Sequence, residues 1–194
     1  MVNKIVDSLE AAVRDVHDGA TVLVGGFGEA GMPIELIDAL IAQGARDLVV
    51  VNNNAGQGET GVAALLKSGH VRKIICSFPR NPDSQVFDGL YRSGKLELEL
   101  VPQGTLVERM RAAGAGIGAF YTPTAVGTEL AKGKEVRRID GRQDCRVAGH
   151  RTAHQRVGIA AMIGKGEIIV DLVREIAVSL HSDDLLGPSR GQRA

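Results

Sequence analysis

Four glycines crowd into seven positions near the start of this 194-residue chain, at Gly25, Gly26, Gly28 and Gly31. They follow the apolar run Ala20 to Val24, which reads as a buried parallel strand. Pro33 and the helically spaced Ile34, Leu36, Ile37, Leu40 and Ile41 come next. Strand, glycine turn, helix is an arrangement that brings backbone amides close to a phosphate or an extended ligand, because glycine permits the approach and a helix N-terminus favours negative charge. Two amide-bearing sites stand in comparable places. Asn52-Asn53-Asn54 follows the apolar Leu48–Val51, and Gln103 follows the alternating run Leu96–Val101. A glutamine there suits donation to a developing oxyanion, since its amide donates without titrating. The asparagines read equally as ligand-facing residues or as a turn that hydrogen-bonds its own backbone.

Other reactive side chains carry weaker patterns. Cys76 lies inside the apolar strand 73–78, where a thiol is buried and inert. Glu97 and Glu99 alternate with leucines, which predicts a solvated face of a half-buried strand near a sheet edge rather than a pair for acid–base work. His17 closes a first helix, and Arg80 sits in a Pro-flanked loop where it either meets an anion or is solvated. His150 and His154 have the i, i+4 spacing of a metal pair but no accompanying ligands.

These residues need a scaffold, and its order is readable. Strand and helix patterns alternate with short links from Ala20 to about Gln103, which predicts right-handed crossovers and an α/β fold with a largely parallel sheet flanked by helices. Helical spacing predicts Val86, Phe87, Leu90 and Tyr91 facing inward. Glu135–Asp140 reads as a strand entering an Asp140-Gly141 turn.

Composition narrows the function. Formal charge is zero, aromatics are 3% and Trp is absent, which argues against nucleic acid and against a polybasic membrane surface. The N-terminus has charges where a signal peptide needs an apolar core, and no apolar run of about 18 residues is present. Two cysteines are too few for a disulfide framework. A cytoplasmic location is the expectation.

The glycine loop is not a P-loop, since no Gly-Lys-Ser/Thr follows. Gly26-x-Gly28-x-x-Gly31 fits the dinucleotide pattern, yet Asn52-Asn53-Asn54 stands where a nicotinamide enzyme of that type has an acidic residue. The longer string fits a different pattern at every fixed position: Asp18-Gly19, two positions, three apolar residues, Gly25-Gly26-Phe27, three positions, Gly31, one position, Pro33. Further along come Asn52-Asn-Asn-Ala-Gly56, Ile75-Cys-Ser-Phe-Pro79, Leu98-Glu-Leu-Val-Pro-Gln-Gly-Thr105, Gly114-Ala-Gly116 and Tyr121-Thr-Pro-Thr124. In this order they resemble the family I coenzyme A-transferases, in particular the A (alpha) subunits of the 3-oxoacid type, and most nearly those acting on 3-oxoadipate. The resemblance covers residues 1 to 142.

The resemblance implies a CoA-transferase-like fold paired with a B subunit of similar fold. That partner carries the nucleophilic glutamate in a Ser-Glu-Asn-Gly setting, and no such string occurs here. It also implies a CoA-binding loop at Gly25, Gly26, Phe27, Gly28, Glu29, Ala30 and Gly31, a catalytic Gln103, and a substrate cleft lined by Asn53 and Asn54. CoA passes from succinyl-CoA to a 3-oxo acid, as a substrate, with no cofactor and no metal. Two features depart from the family. Ala125 occupies a position usually held by Gly, where its methyl group crowds a tight turn. After Arg142 the family pattern stops, so residues 143–194 read as a divergent, shortened C-terminal segment, with 143–155 expected to lack stable packing. A degenerate, non-catalytic CoA-binding protein is the alternative reading.

Overall fold

A computed structural model describes residues 6–149, 156–159, 161–164 and 167–170. The chain opens with a short helix α1 (Leu9–Val13), capped by Ser8, whose hydroxyl accepts from the Ala11 amide at 3.1 Å. It then alternates: β1 (Thr21–Val24), α2 (Ile34–Gln43), β2 (Leu48–Val51), α3 (Gly61–Lys67), β3 (Val71–Cys76), α4 (Gln85–Arg92), β4 (Glu97–Leu100) and α5 (Gln103–Gly114). Three further strands follow, β5 (Ala119–Thr122), β6 (Val136–Ile139) and β7 (Arg142–Ala148), then β8 (Arg156–Ile159), β9 (Ala161–Gly164) and β10 (Glu167–Val170).

The main sheet has the order β4-β3-β2-β1-β8, and every neighbouring pair is parallel. This is the α/β architecture that the alternating pattern requires, with β4 at one end as its Glu/Leu alternation predicts. Burial explains the composition of the strands. β2 is buried along its whole length, while helices α1, α2 and α3 supply Val13, Leu36, Ile37, Leu40, Leu65 and Leu66 to one core. A smaller cluster of Val49, Val51, Ile75, Val101 and Leu106 fills the other face of the sheet beneath α5. On α4, Phe87 is buried, but Tyr91 is exposed and stacks on Phe87 with ring centroids 5.6 Å apart. The inward placement expected of Tyr91 is therefore corrected. One turn of helix puts it over the edge of the core instead of inside it.

β5, β7 and β6 form a separate antiparallel sheet in that order. Asp140 (φ 48°) and Gly141 (φ 78°) make the two-residue β6–β7 loop, the left-handed pair that a type I′ hairpin demands. β7 overturns, over residues 143–148, the expectation that residues 143–155 lack stable packing. Its Asp144, Cys145 and Val147 are buried, and it pairs along both edges. Four of its seven residues are charged or amide-bearing, which is why its sequence resembles a solvated tail. Residues 150–155 of that stretch, and with them His150 and His154, lie outside the described residues, as does Ile5 of the first helical face. Among the described residues no helix is long and apolar enough to cross a membrane, and no group of three His, Cys, Asp or Glu is placed to hold a metal.

Candidate functional site

The glycine loop, the asparagine run and Gln103 all lie at carboxyl ends of parallel strands, on the rim where open α/β sheets hold ligands. Beyond β1 the loop folds into a miniature hairpin. Phe27 N–H donates to the Ala30 carbonyl at 3.0 Å, and Ala30 N–H returns to Phe27 at 3.2 Å. Gly28 takes φ 62° as the first of two turn residues while Glu29 stays outside the left-handed region, the pattern of a type II′ turn. Gly26 has a separate reason to be glycine. Its φ is 110°, and a Cβ there would stand 3.1 Å from the Met32 backbone. The tight turn leaves Phe27 68% exposed at the rim.

The three asparagines divide into two tasks. Asn52 is buried, and its Nδ2 donates to the Val24 carbonyl at 2.8 Å and to that of Gly25 at 3.4 Å, tying the end of β2 to the start of the glycine loop. Its Oδ1 accepts from Asn54 N–H at 3.0 Å, and Asn54 repeats the motif toward Gly56 N–H at 2.8 Å. Gly56 must be glycine here, because a Cβ would come within 2.4 Å of the Ala63 backbone nitrogen at the start of α3. Asn54 is thus turned beneath the surface, only 2% exposed.

Asn53 lies between these two turns. Its backbone carbonyl accepts from both Ser77 (3.1 Å) and Phe78 (3.0 Å), which splice it to the end of β3. Its side chain is partly open, and Oδ1 accepts from Gln103 Nε2 at 2.7 Å. Gln103 is exposed on the first turn of α5, so the two amides meet across fifty positions of sequence. No periodicity signals this contact. Two other rim features fall within the Ile75–Pro79 string, to which the sequence assigned no role. Phe78 is 60% exposed, and the Ser77 hydroxyl is buried with no hydrogen-bond partner among the described residues.

The remaining candidates separate cleanly. Cys76 is buried, and burial pushes its thiol up to about 12, only partly offset by the Phe78 backbone, so it stays protonated and inert. Arg80 is held by Asp88 at 2.7 Å, and the His17 ring contacts the Asp18 carbonyl. Glu97 and Glu99 do not form a merely solvated face. Lys73 of the neighbouring strand reaches both at 2.9 Å, and Arg109 of α5 binds Glu99 at 2.5 Å.

Residues 6–151 match the family described as Coenzyme A transferase. The chain belongs to that family. Among its relatives, the A subunit of the 3-oxoadipate CoA-transferase of Pseudomonas putida is 65% identical over 142 residues, which is 73% of this chain and 62% of that protein. The protein of the same name from Acinetobacter baylyi is 58% identical over the same coverage of each. This coenzyme A transferase chain therefore spans somewhat less than two thirds of the length of these curated relatives. Solved structures share the fold. Glutaconate coenzyme A-transferase from Acidaminococcus fermentans superposes with a TM-score of 0.64 at 20% identity, covering 81% of this chain and 56% of its own. The acyl-CoA transferase YdiF of Escherichia coli gives 0.66 at 21%, covering 82% and 35%.

Proposed function

We propose that this chain is the A subunit of a 3-oxoacid CoA-transferase, with 3-oxoadipate as the acceptor, completed by a B subunit that brings the nucleophilic glutamate. The observation that carries the reading is the joined rim. Asn52 ties the glycine loop to β2, and Asn53 ties β2 to Gln103. A loop suited to CoA and an exposed amide donor are thereby held on one edge of one sheet. The 65% identical relative bears that substrate in its name.

In this reading the partner's carboxylate attacks the thioester carbonyl of succinyl-CoA, and negative charge builds on the carbonyl oxygen. The C–S bond then breaks, leaving a mixed anhydride and CoA thiolate. The thiolate attacks the glutamyl carbonyl, succinate departs, and the enzyme is left as a glutamyl-CoA thioester. The 3-oxo acid carboxylate repeats the sequence in reverse and leaves as its CoA ester. Gln103 Nε2 donates to the transient oxyanion, and its neutral amide remains a donor at every working pH. Residues 25–31 cradle CoA, and Asn53 borders the cleft with Gln103. CoA enters as a substrate, and no cofactor is required.

Co-expression with a B subunit, followed by a CoA-transfer assay, is the test. The pair should turn over, and this chain alone should bind CoA without turnover. Gln103→Ala should lower acyl transfer about 10²-fold or more, equivalent to roughly 3 kcal/mol of barrier. CoA affinity should hardly change, because the donor is used in the transition state. A pair that binds CoA but transfers nothing would leave a non-catalytic CoA-binding protein. A destabilised Gln103→Ala variant with normal turnover would remove Gln103 from the mechanism.

A further inference from the structure

A side-chain amide can rotate, and an exposed glutamine at the start of a helix ordinarily samples several rotamers and both amide orientations. Gln103 lacks that freedom. Nε2 is drawn to Asn53 Oδ1 at 2.7 Å, which fixes the NH2 group on the Asn53 side and engages one of its two hydrogens there. The second hydrogen of this exposed side chain is left for a ligand. We propose that Asn53 is a positioning residue for Gln103: it acts on the reaction by aiming and polarising that amide, in addition to bordering the cleft. The proposal rests on the transferase reading above and deepens it.

Three observations support the assignment. Asn53 is the member of the asparagine run whose side chain holds another rim residue, whereas Asn52 and Asn54 hold backbone. Its own backbone is anchored on three sides, by the Asn52 turn before it, the Asn54 turn after it, and the Ser77 and Phe78 amides on its carbonyl. A rigid acceptor of this kind can preorganise a donor, because the cost of orienting it has been met in folding and not during the reaction. The residue type also fits. An uncharged Oδ1 orients the amide without placing a negative charge beside an anionic acid and an oxyanion, as aspartate would.

The test has two arms, one independent of turnover. In the full chain labelled with ¹⁵N, the Gln103 side-chain NH2 signals are identified by their loss in Gln103→Ala. The wild-type pair should be spread in proton shift, with one slowly exchanging hydrogen. Asn53→Ala should collapse the pair to the values of a free glutamine, and Asn53→Asp, which keeps the acceptor, should preserve the spread. Wild-type signals already at free-glutamine values, or signals unmoved by Asn53→Ala, would overturn the proposal even if the transferase reading stands. In the pair with the B subunit, Asn53→Ala should lower kcat about 10-fold with little change in KM for the CoA substrate. The same substitution added to Gln103→Ala should cost almost nothing more, since there is no longer an amide to aim. Multiplied losses in the double variant would show that Asn53 acts on substrate by itself and would overturn the proposal. An inactive wild-type pair with the expected amide signals would count against the transferase reading and leave the positioning geometry supported.

Discussion

Ala125 carries a left-handed backbone, φ 72°, in a turn closed by Val126 N–H on the Pro123 carbonyl at 3.2 Å. It is the third residue of a four-residue turn, the place where a type II turn calls for glycine. An L-residue there costs about 1–2 kcal/mol, of which replacement by glycine returns part, since glycine also loses more freedom on folding. Ala125→Gly should therefore stabilise the chain by about 1 kcal/mol and raise Tm by about 2–4 °C, read by thermal melting. An unchanged or lower Tm would show that the turn is held without strain. The sequence alone placed a methyl group in a tight turn at this position, because the family pattern sets glycine there. The strain could be foreseen from one residue and its neighbours. The Gln103–Asn53 contact could not, because nothing local to either amide announces a partner fifty positions away.

At the level of elements, α5 is seated by charge. Arg109 on the helix and Lys73 on β3 converge on Glu99 of β4, so the helix that begins with Gln103 is bound to the sheet by a three-residue ion network. Burial pushes the Glu99 carboxyl up, but the Lys73 and Arg109 hydrogen bonds outweigh it and hold the group below its ordinary range. A carboxylate depressed in the folded state stabilises above its unfolded pKa and loses that contribution as pH falls through the folded one. Wild-type stability should accordingly decline on acidification below about pH 4.3, and Glu99→Gln should start lower at pH 7 and decline less steeply there. Denaturant melts across that range measure both slopes, and equal slopes would show that Glu99 titrates alike in the folded and unfolded chain. The alternation Leu-Glu-Leu-Glu-Leu made β4 legible as a strand at a sheet edge. It could not reveal that its outer face is a docking surface for Lys73 and Arg109, since a solvated glutamate and a paired one look the same in sequence. β7 shows the opposite failure. Asp140-Gly141 was legible as a turn, but the polar composition of the strand that returns from it concealed that strand, and its burial depends on what β5 and β6 lay against it.

For the molecule as a whole, sequence legibility follows sequence distance. The parallel sheet could be read because each strand–helix–strand unit is a local pattern repeated along the chain, and the rim could be read because it is where those units end. What holds the rim residues in relation to one another is long-range, and it appears only in three dimensions.

The small antiparallel sheet has a consequence for handling the protein. Among the described residues β6 borders only β7, and it is exposed along its whole length, Val136-Arg137-Arg138-Ile139. An open strand edge offers unpaired backbone groups to a second molecule, and two exposed apolar residues invite that contact. Two adjacent arginines in the middle of the strand oppose it, because pairing this edge with its own copy would bring like charges together. Arg138→Val would convert the strand to a β-branched run with half the charge. That variant should keep its Tm in dilute solution yet scatter light at lower protein concentration on warming. Identical scattering from the variant and the wild type would show that β6 is not where the chains first adhere. The arginine pair is, in this sense, a guard on shelf life and expression yield, carried by a strand that contributes almost nothing to the core.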